Sequence, residues 1–228
     1  MSKKIYLSPS NQDENLYAYG STNECDQCNH IADAAKIALE RCGFEVKKAQ
    51  KGQAMSTSIA ESNRWGADLH IPIHTNAAPE GHTGECGGTV VFVYNSLDGN
   101  MKLATPVYKA VQAVSPGKTD YGVRENPVLA ELNSTNATAV YIEVDFHDNK
   151  QIAKWLIENP QTVGEAIAKG VCQGYGMTYK VPDIKPAPAD VFYRIQVGAF
   201  SSRTLAEAFL EQVQAAGFPN AFIVEVKK

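Results

Sequence analysis

Apolar residues stand at positions 31, 34, 35, 38 and 39 of the run Ile31-Ala32-Asp33-Ala34-Ala35-Lys36-Ile37-Ala38-Leu39-Glu40. That is the period of a helix packed along one side, and Gly43 closes it. Short apolar runs alternate with such stretches along most of the chain. Residues 5–7, 45–49, 69–73, 88–94 and 139–144 read as strands, whereas residues 56–65, 105–114 and 161–175 read as helices, with Thr105 as a cap and Pro106 in the first turn. Pro72 has no N–H to give a ladder, so the end of its strand is expected to be irregular. Strands separated by helices predict an α/β fold, a mostly parallel twisted sheet flanked by helices.

The pattern changes after residue 180. Prolines at 182, 186 and 188 disfavour helix and sheet alike, so residues 181–190 read as an extended, semi-rigid linker. Beyond it, residues 193–200 alternate like a strand, residues 202–216 form an amphipathic helix closed by Gly217, and residues 221–226 resemble a second strand. Two domains follow, residues 1–180 and a small βαβ module over 191–228.

Composition narrows the function. A chain of 228 residues with a formal net charge of −4 offers no basic field, which sets nucleic-acid partners aside. No window approaches the ~18–20 apolar residues of a membrane helix, so no membrane partner is expected. The start, Met1-Ser2-Lys3-Lys4, runs straight into Ile5-Tyr6-Leu7 and leaves no signal-peptide core, from which synthesis in the cytoplasm is expected. The five cysteines, at 25, 28, 42, 86 and 172, are odd in number and scattered apart from Cys25-Asp26-Gln27-Cys28. They do not form a secreted disulfide framework, and the single Cys-x-x-Cys lacks the second soft pair of a structural zinc site.

Two segments place chemistry on buried strands, where open α/β sheets carry it: Asp68-Leu69-His70-Ile71-Pro72-Ile73-His74-Thr75-Asn76-Ala77 and Val140-Tyr141-Ile142-Glu143-Val144-Asp145-Phe146. Hydrolysis at neutral pH needs a nucleophile stronger than water and a proton donor for the leaving group, which a bound Zn²⁺ and a carboxylate outside its ligands can supply. His74 is the imidazole candidate, Glu24 an oxygen donor just before a helix, and Glu143 the proton carrier, since an idle carboxylate on an apolar strand is costly. Structural readings stand beside these: a hydrogen-bonded core histidine at 74 and a helix-dipole acid at 24. His70 lies on the same strand face as His74 but ~13 Å along it, too far to share an ion in a regular strand.

Together these residues resemble the zinc-dependent N-acetylmuramoyl-L-alanine amidase family of cell-wall hydrolases. The resemblance covers residues 1–178 and rests on Ser8-Pro9-Ser10, Glu24 ahead of Ile31-Ala32, His74-Thr75-Asn76-Ala77 for the family's His-Ala-Asn-Ala, Gly122-Val123-Arg124, and Ile142-Glu143-Val144-Asp145-Phe146 for its Val-Glu-x-Gly-Phe. It implies cleavage between N-acetylmuramic acid and L-alanine in peptidoglycan, Zn²⁺ as cofactor, Glu143 as catalytic residue, and Glu24, His74 and the residue at 11 as ligands. The family has a His at that last place in an Asp-Pro-Gly-His turn; here it is Asn11, a poorer zinc ligand. Three arrangements follow: Asn11 or Gln12 coordinates weakly, His82, His30 or His147 completes the set, or no zinc is held. His82, in the glycine-rich Glu80–Glu85 run, is the outside donor nearest by reach. The alternative to an enzyme is a catalytically weak wall-binding protein.

Residues 191–228 resemble a SPOR peptidoglycan-binding module through Tyr193-Arg194-Ile195-Gln196-Val197-Gly198-Ala199-Phe200 and Ala215-Ala216-Gly217-Phe218. A complete SPOR module is built of two βαβ halves, and one is present. The expectation is a homodimer in which two tails rebuild the sheet. Without an export signal, the enzyme is expected to reach the wall after release, as a phage lysin or after cell lysis.

Overall fold

The computed structural model describes residues 2–182, 196–218 and 221–226. Two compact units divide it, Met1–Pro182 and Asp183–Lys228. In the first, the elements run β1 (Lys4–Pro9), α1 (Glu24–Arg41), β2 (Glu45–Lys48), α2 (Met55–Trp65), β3 (Leu69–Asn76), β4 (Val90–Val93), α3 (Asp98–Val114), β5 (Val123–Glu125), α4 (Ala130–Asn133), β6 (Thr138–Ala139), β7 (Tyr141–Phe146), α5 (Lys150–Glu158) and α6 (Pro160–Tyr175).

The sheet has the order β2-β1-β3-β7-β4-β5, with β6 also on β3; all its pairings are parallel except β4 with β7. The expected mostly parallel α/β sheet is therefore present. Going from β1 to β2 and then back past β1 to β3 with right-handed crossovers puts α1 and α2 on opposite faces. The strand order reverses between β1 and β3, so a crevice opens at their carboxyl ends. Asn11 and His74 lie at that end.

On one side of the sheet, Ile5, Leu7, Ile71, Ile73, Ile142 and Val144 join residues of α1, α3 and α6 in the main core. Glycines let the helices approach: a Cβ on Gly164 would lie 2.5 Å from the Ala35 nitrogen, and one on Gly170 2.5 Å from the Val107 Cα. The opposite side is polar. Tyr6 hydrogen-bonds Glu61 of α2, and Ser8 and His70 meet Glu131 of α4.

Several boundaries differ from the pattern-based expectation. Helix α1 begins at Glu24 because the Asn23 side chain caps it by accepting from the Asp26 N–H. Helix α3 begins at Asp98, which leaves Pro106 inside it and not in its first turn. Strand β3 runs on to Asn76 through Pro72. His70 pairs with Ala139 of β6 and Ile73 with Ile142 of β7, and the ladder lapses between those registers, beside Pro72.

Asp145 stands where the resemblance expects glycine. It is fully buried and accepts from the Gly88 N–H at 2.7 Å, the Gly117 N–H at 2.9 Å, its neighbour Phe146 N–H and the Ser115 hydroxyl, tying the segment after α3 to the start of β4.

In the second unit the described residues hold one helix, α7 (Arg203–Ala215), followed by Gly217 at φ 105°. Phe200 packs against Phe209 with ring centroids 5.3 Å apart. Residues 196–200 and 221–226 make no strand, so the strand expected at 221–226 is not formed here. Most of the expected linker, residues 183–190 of 181–190, and the start of the other expected strand, residues 193–195, fall outside the described residues.

Candidate active site

His74 faces the crevice from β3, and Glu143 is its direct neighbour in register on β7. Adjacent strands lie ~4.8 Å apart, so the two side chains share one face. Glu24 enters from the first turn of α1, and its Oε1 lies 2.8 Å from His74 Nδ1. The three residues singled out by chemistry in the sequence are thus brought together.

Asn11 is not brought to the histidine. It is exposed and lines the adjoining cavity of about 290 Å³, while its neighbour Gln12 sends its amide to 3.3 Å from His74 Nδ1. Asn15 then bridges, donating to Gln12 Oε1 at 3.0 Å and to Glu24 Oε2 at 2.8 Å. The other histidines are engaged elsewhere: His82 is exposed and paired with Glu85, His30 faces Gln27, and His147 is buried against Thr75 and Tyr17. Cys25 and Cys28 lie within α1, free and buried.

Two participants escaped the sequence reading. Tyr141 stacks on the His74 ring, centroids 4.6 Å apart. Its signal was present, since it lies two residues before Glu143 on the same face of one strand. Glu131 left no such signal, because it comes from a helix of only four residues. It accepts from Ser8 Oγ at 2.5 Å and meets His70 Nε2 at 3.1 Å, while its second oxygen is 3.9 Å from His74 Nε2. The two histidines of β3 thus face the two oxygens of one carboxylate.

Burial by itself would keep His74 neutral, but Glu131, Glu24 and Glu143 around it raise its pKa to about 9. Burial pushes Glu24 up; hydrogen bonds from His74, Asn15 and Ser10 outweigh it and leave the carboxyl below its ordinary value. Glu131 is likewise opposed by burial and drawn down by His70, His74 and Ser8, to about 2. Glu143 differs. Its Oε2 is sealed from solvent without a hydrogen-bond partner, and desolvation raises its pKa to about 7 against the lowering effect of His74.

A divalent cation fits these residues with a reduced donor set. No three His, Cys, Asp or Glu side chains cluster suitably among the described residues. Glu24 and His74 nevertheless converge, Gln12 reaches the same nitrogen through its amide NH2 while its amide oxygen accepts from Asn15, and the unpartnered Glu143 oxygen beside them leaves room for a hydrogen-bonding occupant. Carboxylate, imidazole and amide make a weaker zinc site than one with a further imidazole.

A family model described as N-acetylmuramoyl-L-alanine amidase matches residues 10–173, and one described as SPOR domain matches residues 172–225. An uncharacterized 38.4 kDa protein of Clostridium perfringens is 27% identical over 165 residues, 68% of this chain. The chain spans 47% of that relative's length, about half. Among solved structures, an N-acetylmuramoyl-L-alanine amidase from Clostridium difficile 630 is similar with a TM-score of 0.69 at 20% identity, over 77% of this chain and 97% of that one. The amidase AmiC2 of Nostoc punctiforme gives 0.67 at 18%, over 76% and 97%. The catalytic domain of CwlV from Bacillus (Paenibacillus) polymyxa gives 0.68 at 16%, over 77% and 99%. At these identities the structures establish the shared fold.

Proposed function

We propose, from the premise that the chain belongs to the N-acetylmuramoyl-L-alanine amidase family, that it hydrolyses the amide between the lactyl group of N-acetylmuramic acid and the first L-alanine of the peptidoglycan stem peptide. One observation carries the reading. A carboxyl group with a pKa near 7 and an unpartnered oxygen, Glu143, is held beside a buried histidine–glutamate pair at the switch point of an α/β sheet.

Bound zinc would supply a polarised carbonyl and an activated water at neutral pH. Glu24, His74 and the Gln12 amide are the groups that would hold it. Near its own pKa, Glu143 can take a proton from the attacking water and return it to the leaving alanine nitrogen, since both of its forms are populated at neutral pH. Tyr141 keeps the His74 ring in plane by stacking. The test is Glu143→Gln, which preserves shape and removes the proton carrier. Release of new amino termini from purified peptidoglycan should fall by ~10²–10⁴-fold while wall binding persists. Wild-type rates in the variant would sink the assignment.

A second reading, a catalytically weak wall-binding protein, is favoured by one observation: the ligand position at Asn11 is exposed and makes no bond to His74. Zinc content of the purified protein separates the two. The SPOR match supports wall binding by the C-terminal unit, and with it action at the cell wall. Homodimerisation through that unit is supported by α7, which has no buried residue and leaves Leu205 60% exposed, as Phe222 beyond it is 74% exposed.

A further inference from the structure

Glu131 is a buried charge that the hydrolytic step does not use. It is 4% exposed, and its Oε1 is fixed from two strands, by the Ser8 hydroxyl of β1 at 2.5 Å and by His70 Nε2 of β3 at 3.1 Å. Its Oε2 is left facing His74 Nε2 at 3.9 Å, within ion-pair reach though longer than a hydrogen bond. The other ring nitrogen of His74, Nδ1, is the one that meets Glu24 and Gln12. The two edges of a single imidazole are therefore assigned to different partners.

An imidazole that gives one nitrogen to a cation carries its proton on the other. A carboxylate opposite that N–H fixes the tautomer and the ring direction and strengthens the donor nitrogen. Tyr141 already restrains the plane of the ring, so what remains to be set is its direction within the plane.

We propose that Glu131 is a positioning residue: held by Ser8 and His70, it faces the Nε2 edge of His74 and thereby presents Nδ1 toward Glu24 and Gln12 to receive a divalent cation. The proposal rests on the reading of Glu24, His74 and Gln12 as a cation site. In a donor set short of one imidazole, a carboxylate behind the remaining imidazole compensates by making it a better ligand. A purely structural role, joining α4 to β1 and β3, would leave the properties of His74 unchanged once the protein has folded.

The experiment compares full-length wild type, Glu131→Gln and Glu131→Asp, the last retaining the charge but withdrawing it by one methylene in case the amide variant does not fold. Zinc affinity is read by competition with a chromophoric chelator. In the zinc-loaded protein, labelled with ¹⁵N at histidine, the imidazole N–H resonance of His74 is assigned to Nε2 or Nδ1. The expected result is zinc binding ~10–100-fold weaker in Glu131→Gln and less impaired in Glu131→Asp. A wild-type Nε2–H resonance that shifts in both variants is expected alongside. Variants that fold, bind zinc as tightly as wild type and leave that resonance unmoved would overturn the role of Glu131 alone. A wild type that takes up no zinc overturns the cation reading, and this role with it.

Discussion

Glu143 sets the pH behaviour of the metal-free site. Its pKa is raised to about 7 by burial, so the folded chain holds this proton more tightly than the unfolded chain does. The resulting stability is complete below the ordinary carboxylate value near 4.5, falls as pH rises through about 7, and is level above. Glu143→Gln has no such loss. In metal-free protein its melting temperature should gain on wild type as pH rises from 5 to 7, by the equivalent of on the order of 1–3 kcal/mol. A difference that does not change over that range would show that the carboxyl is solvated. At the neighbouring positions the expectation is about one zinc per wild-type chain, as a single catalytic site requires, and loss of that zinc in His74→Ala and Glu24→Ala. Elemental analysis after dialysis reads it directly.

Among the elements, α6 is the one that cannot be thickened. Gly170 faces the backbone of α3, where an added Cβ would come within 2.5 Å of the Val107 Cα, and a backbone atom cannot swing aside. Gly170→Ala should therefore cost about 1–3 kcal/mol despite the better helix propensity of alanine, visible as a lower urea midpoint. An unchanged or higher midpoint would mean that the two helices slide apart freely. The periodicity of α1 and the apolar runs of β3 and β7 were legible because burial on one side imposes a local pattern. The first two turns of α1 were not, since their buried residues include Glu24, Gln27 and Asn29, which carry no apolar signal.

For the whole molecule, the two units call for separate expectations. Met1–Pro182 has its own core and the complete candidate site. The described part of Asp183–Lys228 buries no residue of its helix. If the apolar side chains around α7 are covered by a second copy, light scattering at tens of micromolar should report a dimer for the full chain and a monomer for residues 1–182. A monomeric full chain would end the dimer proposal, while wall binding by the C-terminal unit could be measured independently by co-sedimentation with peptidoglycan.

By itself the sequence determined the alternation of strands and helices, the mostly parallel sheet, and three of the site's residues, because polar groups on otherwise apolar strands and at a helix start stand out locally. Tertiary structure alone decided that Gln12 and not Asn11 reaches His74, that His82 stays away in its own pair with Glu85, and that Glu131 joins His70 across a separation of 61 positions. Local periodicity encodes which side of an element is buried. It does not encode which elements meet, and a carboxylate carried on a four-residue helix acquires its partners only when β1, β3 and that helix are brought together.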